Sequence, residues 1–113
     1  MCTKNQLNII TESITKLAKE VFGDKLRSVI LYGSYARGDY DDESDIDIMI
    51  LVDIPREKIW LYKDSILDLA SDLGLEYNIL VSPMIKDTET FDRFFDAMPF
   101  YQNVQREGIQ ITV

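Results

Sequence analysis

The chain has 113 residues, 46% of them hydrophobic, enough for one domain that buries somewhat more than about 60% of the surface its unfolded chain exposes. Twenty acidic side chains against twelve basic ones leave a net charge of −8, which repels polyphosphate backbones and argues against direct binding of long nucleic acids. There is no histidine, so the usual imidazole base and metal ligand are missing, and any catalysis must run on carboxylates, hydroxyls, amines or metal ions.

Cys2 is the one cysteine. It cannot form an internal disulfide, so the fold must rest on packing and suits a reducing compartment. The longest aliphatic run, residues 48–52, is far shorter than the about 18 residues of a membrane span, and no charged-then-apolar leader opens the chain. The expectation is a soluble cytoplasmic protein, a single domain over residues 1–113 with no linker, repeat or low-complexity tract.

In chain order, Leu7, Ile10, Ile14, Leu17, Ala18 and Val21 recur at helical spacing and predict an amphipathic helix ended by Gly23. Residues 28–32 read as a short buried strand. Gly33 turns the chain into one or two helical turns over residues 34–38, with Ser34 suited to cap them. An acidic loop over 39–44 follows; Asp39, Asp41, Asp42 and Glu43 read as a solvated face. Residues 45–52, aliphatic apart from Asp45 and Asp47, have the pattern of a central strand covered on both faces.

Pro55 and the helix-spaced Ile59, Tyr62, Ile66, Leu69, Ala70 and Leu73 predict a helix that Gly74 closes. Residues 75–81 read as a third strand, broken by Pro83. Phe91, Phe94, Phe95 and Met98 fall on one face of a helix starting near Asp87 or Thr88, where core packing is the default. Pro99 opens a last short helix that Gly108 stops, and 109–113 is an edge strand or a tail; Phe100 and Tyr101 are candidates for a partner surface. This order predicts an α/β (α+β) domain, a mixed sheet with helices packed against it.

The informative stretch is Gly33-Ser34 at the end of the first strand, ten intervening residues, and Asp45-x-Asp47 opening the second. Gly33 lets the backbone approach a ligand closely, while the Ser34 hydroxyl and the amides of the short helix can receive phosphate oxygens. Asp45 and Asp47, two apart on a strand, project side by side from one face. Like charges that close repel, and their aliphatic neighbours limit water, so a hard cation such as Mg²⁺, which favours carboxylate and phosphate oxygens, resolves the conflict. Arg37 either neutralises a triphosphate oxygen or pairs with Asp39 or Asp42 to hold the loop. Tyr35 and Tyr40 are candidates to stack on a base.

With both halves present, residues 33–39 and the spacing to Asp45-x-Asp47 resemble the nucleotidyltransferase superfamily that includes DNA polymerase beta, and most closely its minimal MNT-type members. The resemblance implies a nucleotidyltransferase-like mixed sheet flanked by helices. It further implies transfer of a nucleoside monophosphate, AMP from ATP, with release of pyrophosphate and with Mg²⁺ held by Asp45, Asp47 and usually a third carboxylate. The expected third strand offers Glu76 and Asn78 on one face. Glu76 is the candidate third ligand and general base, but the family pattern aligns more naturally on Asn78, a neutral amide. Gly33, Ser34 and Arg37 are the expected nucleotide-binding residues.

Minimal MNT-type domains pair, as antitoxins, with HEPN-domain toxins and can attach AMP to a toxin tyrosine. The resemblance implies that role here, with a HEPN-domain toxin as partner and acceptor and a homodimer left open. The alternatives are a catalytically impaired domain that neutralises its partner by contact alone, and an aminoglycoside nucleotidyltransferase.

Overall fold

The structure, a computed structural model, describes residues 2–111. Helix α1 spans Lys4–Phe22; Thr3 accepts the Gln6 N–H and Gln6 returns the bond to the Thr3 N–H, a reciprocal cap that satisfies two otherwise orphaned donors. Gly23, at φ 55°, ends the helix as expected. Strand β1 (Leu26–Tyr32), the single-turn helix α2 (Ser34–Arg37) and strand β2 (Ile46–Val52) follow.

A 3-10 turn over Arg56–Leu61 leads into α3 (Lys63–Tyr77), then β3 (Val81–Asp87), α4 (Thr88–Phe94), α5 (Pro99–Glu107) and β4 (Ile109–Gln110). The strands form one mixed sheet in the order β3-β2-β1-β4, with β2 antiparallel to β1 and parallel to β3.

Strand alternation sorts the core into two layers. Ile46, Ile48, Ile50 and Val52 are fully buried and point to the face covered by α1 and α3, through Ile10, Ile14, Ile66 and Leu73. Ile30, Met49 and Leu51 point to the other face and meet Phe91, Tyr101 and Val104 of α4 and α5. Strand β2 is therefore covered on both sides, as its continuous aliphatic run requires. Asp47 shares the parity of Met49 and Leu51, so its side chain belongs to the α5 face.

Several expectations are corrected. Gly74 does not end the third helix, which runs three residues further and closes at Asn78 in the left-handed conformation, φ 53°. Gly74 answers a different need: a Cβ there would lie 2.7 Å from the Ile79 carbonyl, so the chain returning from α3 crosses where only glycine fits. The third strand is Val81–Asp87, not residues 75–81, and Pro83 lies inside it opposite Ile48. Proline is tolerated because β3 is an edge strand, where one backbone N–H side has no ladder partner to lose.

Helix α4 starts after Asp87, which caps it by accepting the Thr90 N–H, but it ends at Phe94. Phe91 is core, whereas Phe94 and Met98 are exposed. Tyr101, a candidate for a partner surface, is core as well. The tail begins as β4 paired with β1, and residues 112–113 of the expected edge strand lie outside the described residues.

Candidate active site

Strands β1 and β2 set Tyr32 level with Asp47, so the turn after β1 falls beside the first carboxylate inside β2. Gly33 makes that turn at φ 75°, and a Cβ on it would sit 2.5 Å from Asp47 Oδ2. The carboxylate thus packs against bare backbone, a contact no other residue type at position 33 allows. The Ala36 and Arg37 N–H groups donate to the Gly33 carbonyl at 3.1 and 3.0 Å, and Gly38, at φ 89°, stops α2 after one turn. Gly33, not Ser34, is the residue at the helix cap, and no side chain caps α2. Ser34 is its first residue.

Gly33, Ser34, Arg37 and Asp47 line one wall of a cleft of about 360 Å³; Phe100, Asn103, Val104 and Glu107 of α5 line the other. Burial and the neighbouring Asp45 raise the Asp47 pKa above the usual aspartate value, with Arg37 partly offsetting them. Burial and Asp47 likewise push the Tyr32 hydroxyl up to about 12, so it stays a neutral hydrogen-bonding group at the cleft floor. Of the two roles foreseen for Arg37, the loop-holding pair is present: its Nε donates to Asp39 at 3.1 Å, while the residue also lines the cleft and its Nη1 lies 3.5 Å from Glu107 Oε2. Those carboxylates raise its pKa, that of Asp39 first.

Five of the expected residues come together: Gly33, Ser34, Arg37, Asp47 and, through its charge on Asp47, Asp45. Glu76 does not join them. It lies exposed on α3, the helix packed on the opposite face of the sheet from Asp47, and Asn78 is the exposed residue that closes that helix. The strand that does lie beside the acid pair brings Ser82 level with Asp47, while the Leu80 carbonyl accepts the Ile46 N–H. Tyr35 and Tyr40 stack on each other at 4.3 Å, away from the cleft, with Tyr35 buried.

Sequence reasoning missed Asn103 and Glu107 and offered Phe100 only as a partner-surface candidate, not as a cleft residue. The available signal was their spacing with Val104 on one stripe of a short helix whose end Gly108 fixes.

The donor set suits a hard divalent cation. Two carboxylates whose mutual repulsion contributes, after burial, to the raised pKa of Asp47 are relieved by one, and Gly33 leaves room for the Asp47 carboxylate where a side chain would stand. Among the described residues no group of three or more acidic or cysteine side chains could hold a metal by itself. The remaining ligands would have to come from water and from a phosphate-bearing substrate, as is usual for Mg²⁺.

The site, with Asp47 set against a glycine corner and Asp45 beside it, is of the kind a nucleotide-handling transferase uses. The chain belongs to the family described as "Nucleotidyltransferase domain", whose model matches residues 12–105, and it is an enzyme of that type. It is 44% identical over 96 residues to a Methanocaldococcus jannaschii protein named "Putative protein adenylyltransferase MJ0141", covering 81% of this chain and 94% of that one. A second protein of the same organism, "Putative protein adenylyltransferase MJ0604", is 35% identical over 104 residues, covering 92% and 95%. Among solved structures, one described as a toxin-antitoxin with AMP-PNP superposes with a TM-score of 0.54 at 25% identity, over 88% of this chain and 70% of that one. Among the described residues no helix is long and apolar enough to cross a membrane.

Proposed function

We propose that the chain transfers AMP from ATP to a hydroxyl of a partner protein, as the cytoplasmic antitoxin of a pair whose toxin carries a HEPN domain. The observation that supports this reading is the packing of the Asp47 carboxylate against Gly33, in one cleft with Ser34 and Arg37 and with Asp45 near enough to raise the Asp47 pKa. The names of the relatives, protein adenylyltransferases, and of the structural neighbour, a toxin-antitoxin with AMP-PNP, support the acceptor class and the nucleotide.

In this reading the backbone at Gly33 and Ser34 and the guanidinium of Arg37 orient the triphosphate. Asp45 and Asp47 hold Mg²⁺, which supplies neutralisation of the charge that develops on the phosphates. The acceptor hydroxyl oxygen bonds to the α-phosphorus while its proton passes to solvent water, the bond from the α-phosphorus to the α–β bridging oxygen breaks, and pyrophosphate leaves. Tyr32, kept protonated, adds a donor and no further negative charge. Phe100 and Asn103 form the wall against which the rest of the nucleotide lies.

The test is to mix the purified chain, MgATP and the protein encoded beside it, and to weigh the partner. The reading expects gains in multiples of one AMP, lost with EDTA; an unchanged partner mass with folded, nucleotide-binding protein would sink it. Ser82, where an acid would stand on β3, favours a second reading, neutralisation by contact alone. A chain carrying Asp45→Asn and Asp47→Asn that still neutralises the toxin fully would decide for contact.

A further inference from the structure

Resting on the reading that the corner at Gly33, Ser34 and Arg37 receives the triphosphate, we infer that Glu107 is a counter-charge that holds Arg37 in the nucleotide-free protein and is displaced from it by phosphate. Nucleotide entry is then an exchange of partners on one guanidinium.

The fold sets Glu107 in this place for a reason independent of its charge. Strand β4 pairs with β1 through Leu31 with Ile109 and Ile30 with Gln110. Glu107 ends α5 one residue before Gly108 and β4, so the pairing of β4 beside the end of β1 brings it near the turn that follows β1. Gly108 secures the approach, since a Cβ there would collide with the Val104 carbonyl and the Ile30 side chain. The last residue of α5 is therefore delivered to the corner where the triphosphate is read to bind, and it lines the same cleft as Gly33, Ser34, Arg37 and Asp47.

A carboxylate in the last turn of a helix is disfavoured by the helix dipole, so Glu107 is not there to stabilise α5. Its partner is Arg37, at 3.5 Å, with Arg106 at the longer distance of 4.0 Å. Arg37 in turn is shared between Asp39 on its own loop and Glu107 across the cleft. The ion pair is partly exposed, Arg37 at 41% and Glu107 at 32%. Such a pair is weak enough to be replaced by a more highly charged anion. A phosphate oxygen on Arg37 takes over one arm of this bridge, and Glu107 turns to solvent.

Glu107 thus acts through Arg37: it competes with phosphate for the guanidinium, and nucleotide binding must displace it.

The experiment is a double-mutant cycle of AMP-PNP binding with Mg²⁺, by titration calorimetry at fixed ionic strength, with melting curves confirming that each variant is folded. Arg37→Ala should weaken binding about tenfold, as loss of one charge-assisted phosphate contact does. Glu107→Gln should tighten binding about three- to tenfold, the scale of releasing a partly exposed ion pair. Glu107→Asp, charged but too short to span the cleft, should tighten it by less. In the Arg37→Ala background, Glu107→Gln should change nothing.

Weaker or unchanged binding by the Glu107→Gln chain overturns the proposal, and so does equal tightening with and without Arg37, which would mean simple repulsion. If Arg37→Ala itself leaves the affinity unaltered, the phosphate-corner reading fails, and the proposal with it.

Discussion

At its C-terminal end, β2 runs into Asp53, whose carboxylate accepts the Thr88 hydroxyl at 2.5 Å and faces Arg27 at 4.0 Å. One strand over, Asp87 accepts the Thr90 N–H at 2.8 Å. Although burial alone would raise the Asp87 pKa, the hydrogen bonds from Thr90 hold it below the usual aspartate value. At the N-terminal end of the same strand, Asp47 is raised by burial and by Asp45. The sheet therefore treats its two ends differently: the acids at one end each accept a hydrogen bond from the protein, although Asp87 Oδ1 is buried without a partner among the described residues, while at the other Asp47 is raised by burial and by Asp45 and only partly offset by Arg37. The difference separates acids that build the fold from an acid that the fold carries at a net cost in an open cleft, and such a cost marks a candidate site.

The most severe way to test this contrast is to neutralise the N-terminal pair. Asp45→Asn together with Asp47→Asn should lower AMP transfer to the partner at least about 10³-fold, the equivalent of several kcal/mol of lost charge stabilisation. Stability should respond in the opposite sense: in metal-free buffer at neutral pH the double variant should melt higher than the parent. A variant that melts lower would mean that the pair is structural after all.

Gly33→Ala comes next. Its Cβ would meet Asp47 Oδ2 and force either the carboxylate or the turn to move, and displacement of about 1 Å in such a site costs on the order of 10²-fold in rate. Initial rates with saturating MgATP read the effect directly.

The opposite end should behave the other way. Asp87→Ala removes the cap of α4 and should cost about 1–2 kcal/mol, seen as a drop of about 4–8 °C in melting temperature for each kcal/mol in a domain of this size. Transfer measured well below the melting temperature should stay within about twofold of the parent rate, because the residue lies at the far end of β3 from the cleft.

What the sequence made legible follows the same divide between local and long-range causes. The meeting of Gly33 with Asp47 was readable because strand alternation and a glycine turn fix it locally, although β2 begins at Ile46 and leaves Asp45 just before it, and the aliphatic run of β2 announces a covered strand. The reading failed where a residue answers to a distant segment. Gly74 looks like a helix end, yet its reason is the Ile79 carbonyl passing over it. Leu75, Tyr77 and Ile79 alternate like a strand, but Leu75 is 85% exposed on α3, and the alternation serves no sheet. Pro83 argues against a strand until β3 is seen to be an edge. Glu107 was invisible as a cleft residue because its place depends on the register of β4 against β1, which no local pattern encodes.

Acid titration separates the two ends on a finer scale. A carboxylate whose pKa is raised by folding opposes stability when ionised, so the advantage of the Asp47→Asn chain over the parent should shrink as pH falls through the raised pKa and vanish below the ordinary aspartate value. For Asp87 the folded pKa is lowered, so its stabilisation is complete above the ordinary value and lost as pH falls through the depressed one. Denaturant midpoints of the parent and both variants across the acid range should show the Asp47 gap closing first and the Asp87 gap last. Closure in the reverse order would contradict the contrast between the ends.

The smallest effect is expected at Glu76, and it bears on the comparison because this acid belongs to neither end. It sits exposed on α3, whose buried residues Ile66, Ala70 and Leu73 pack on the face of the sheet away from the Asp47 side chain. To serve as a third ligand it would have to cross the sheet or unwind the last turn of α3, which Asn78 closes by donating its N–H to the Gly74 carbonyl. Glu76→Gln should therefore leave both the transfer rate and its dependence on metal concentration within about twofold, while an exposed neutral substitution moves stability by no more than about 0.5 kcal/mol. A loss of tenfold or more in rate, with the melting curve unchanged, would show that the end of α3 rearranges toward the cleft when nucleotide binds, and the acid pair would then have found in its own chain the partner that the sheet withholds from it.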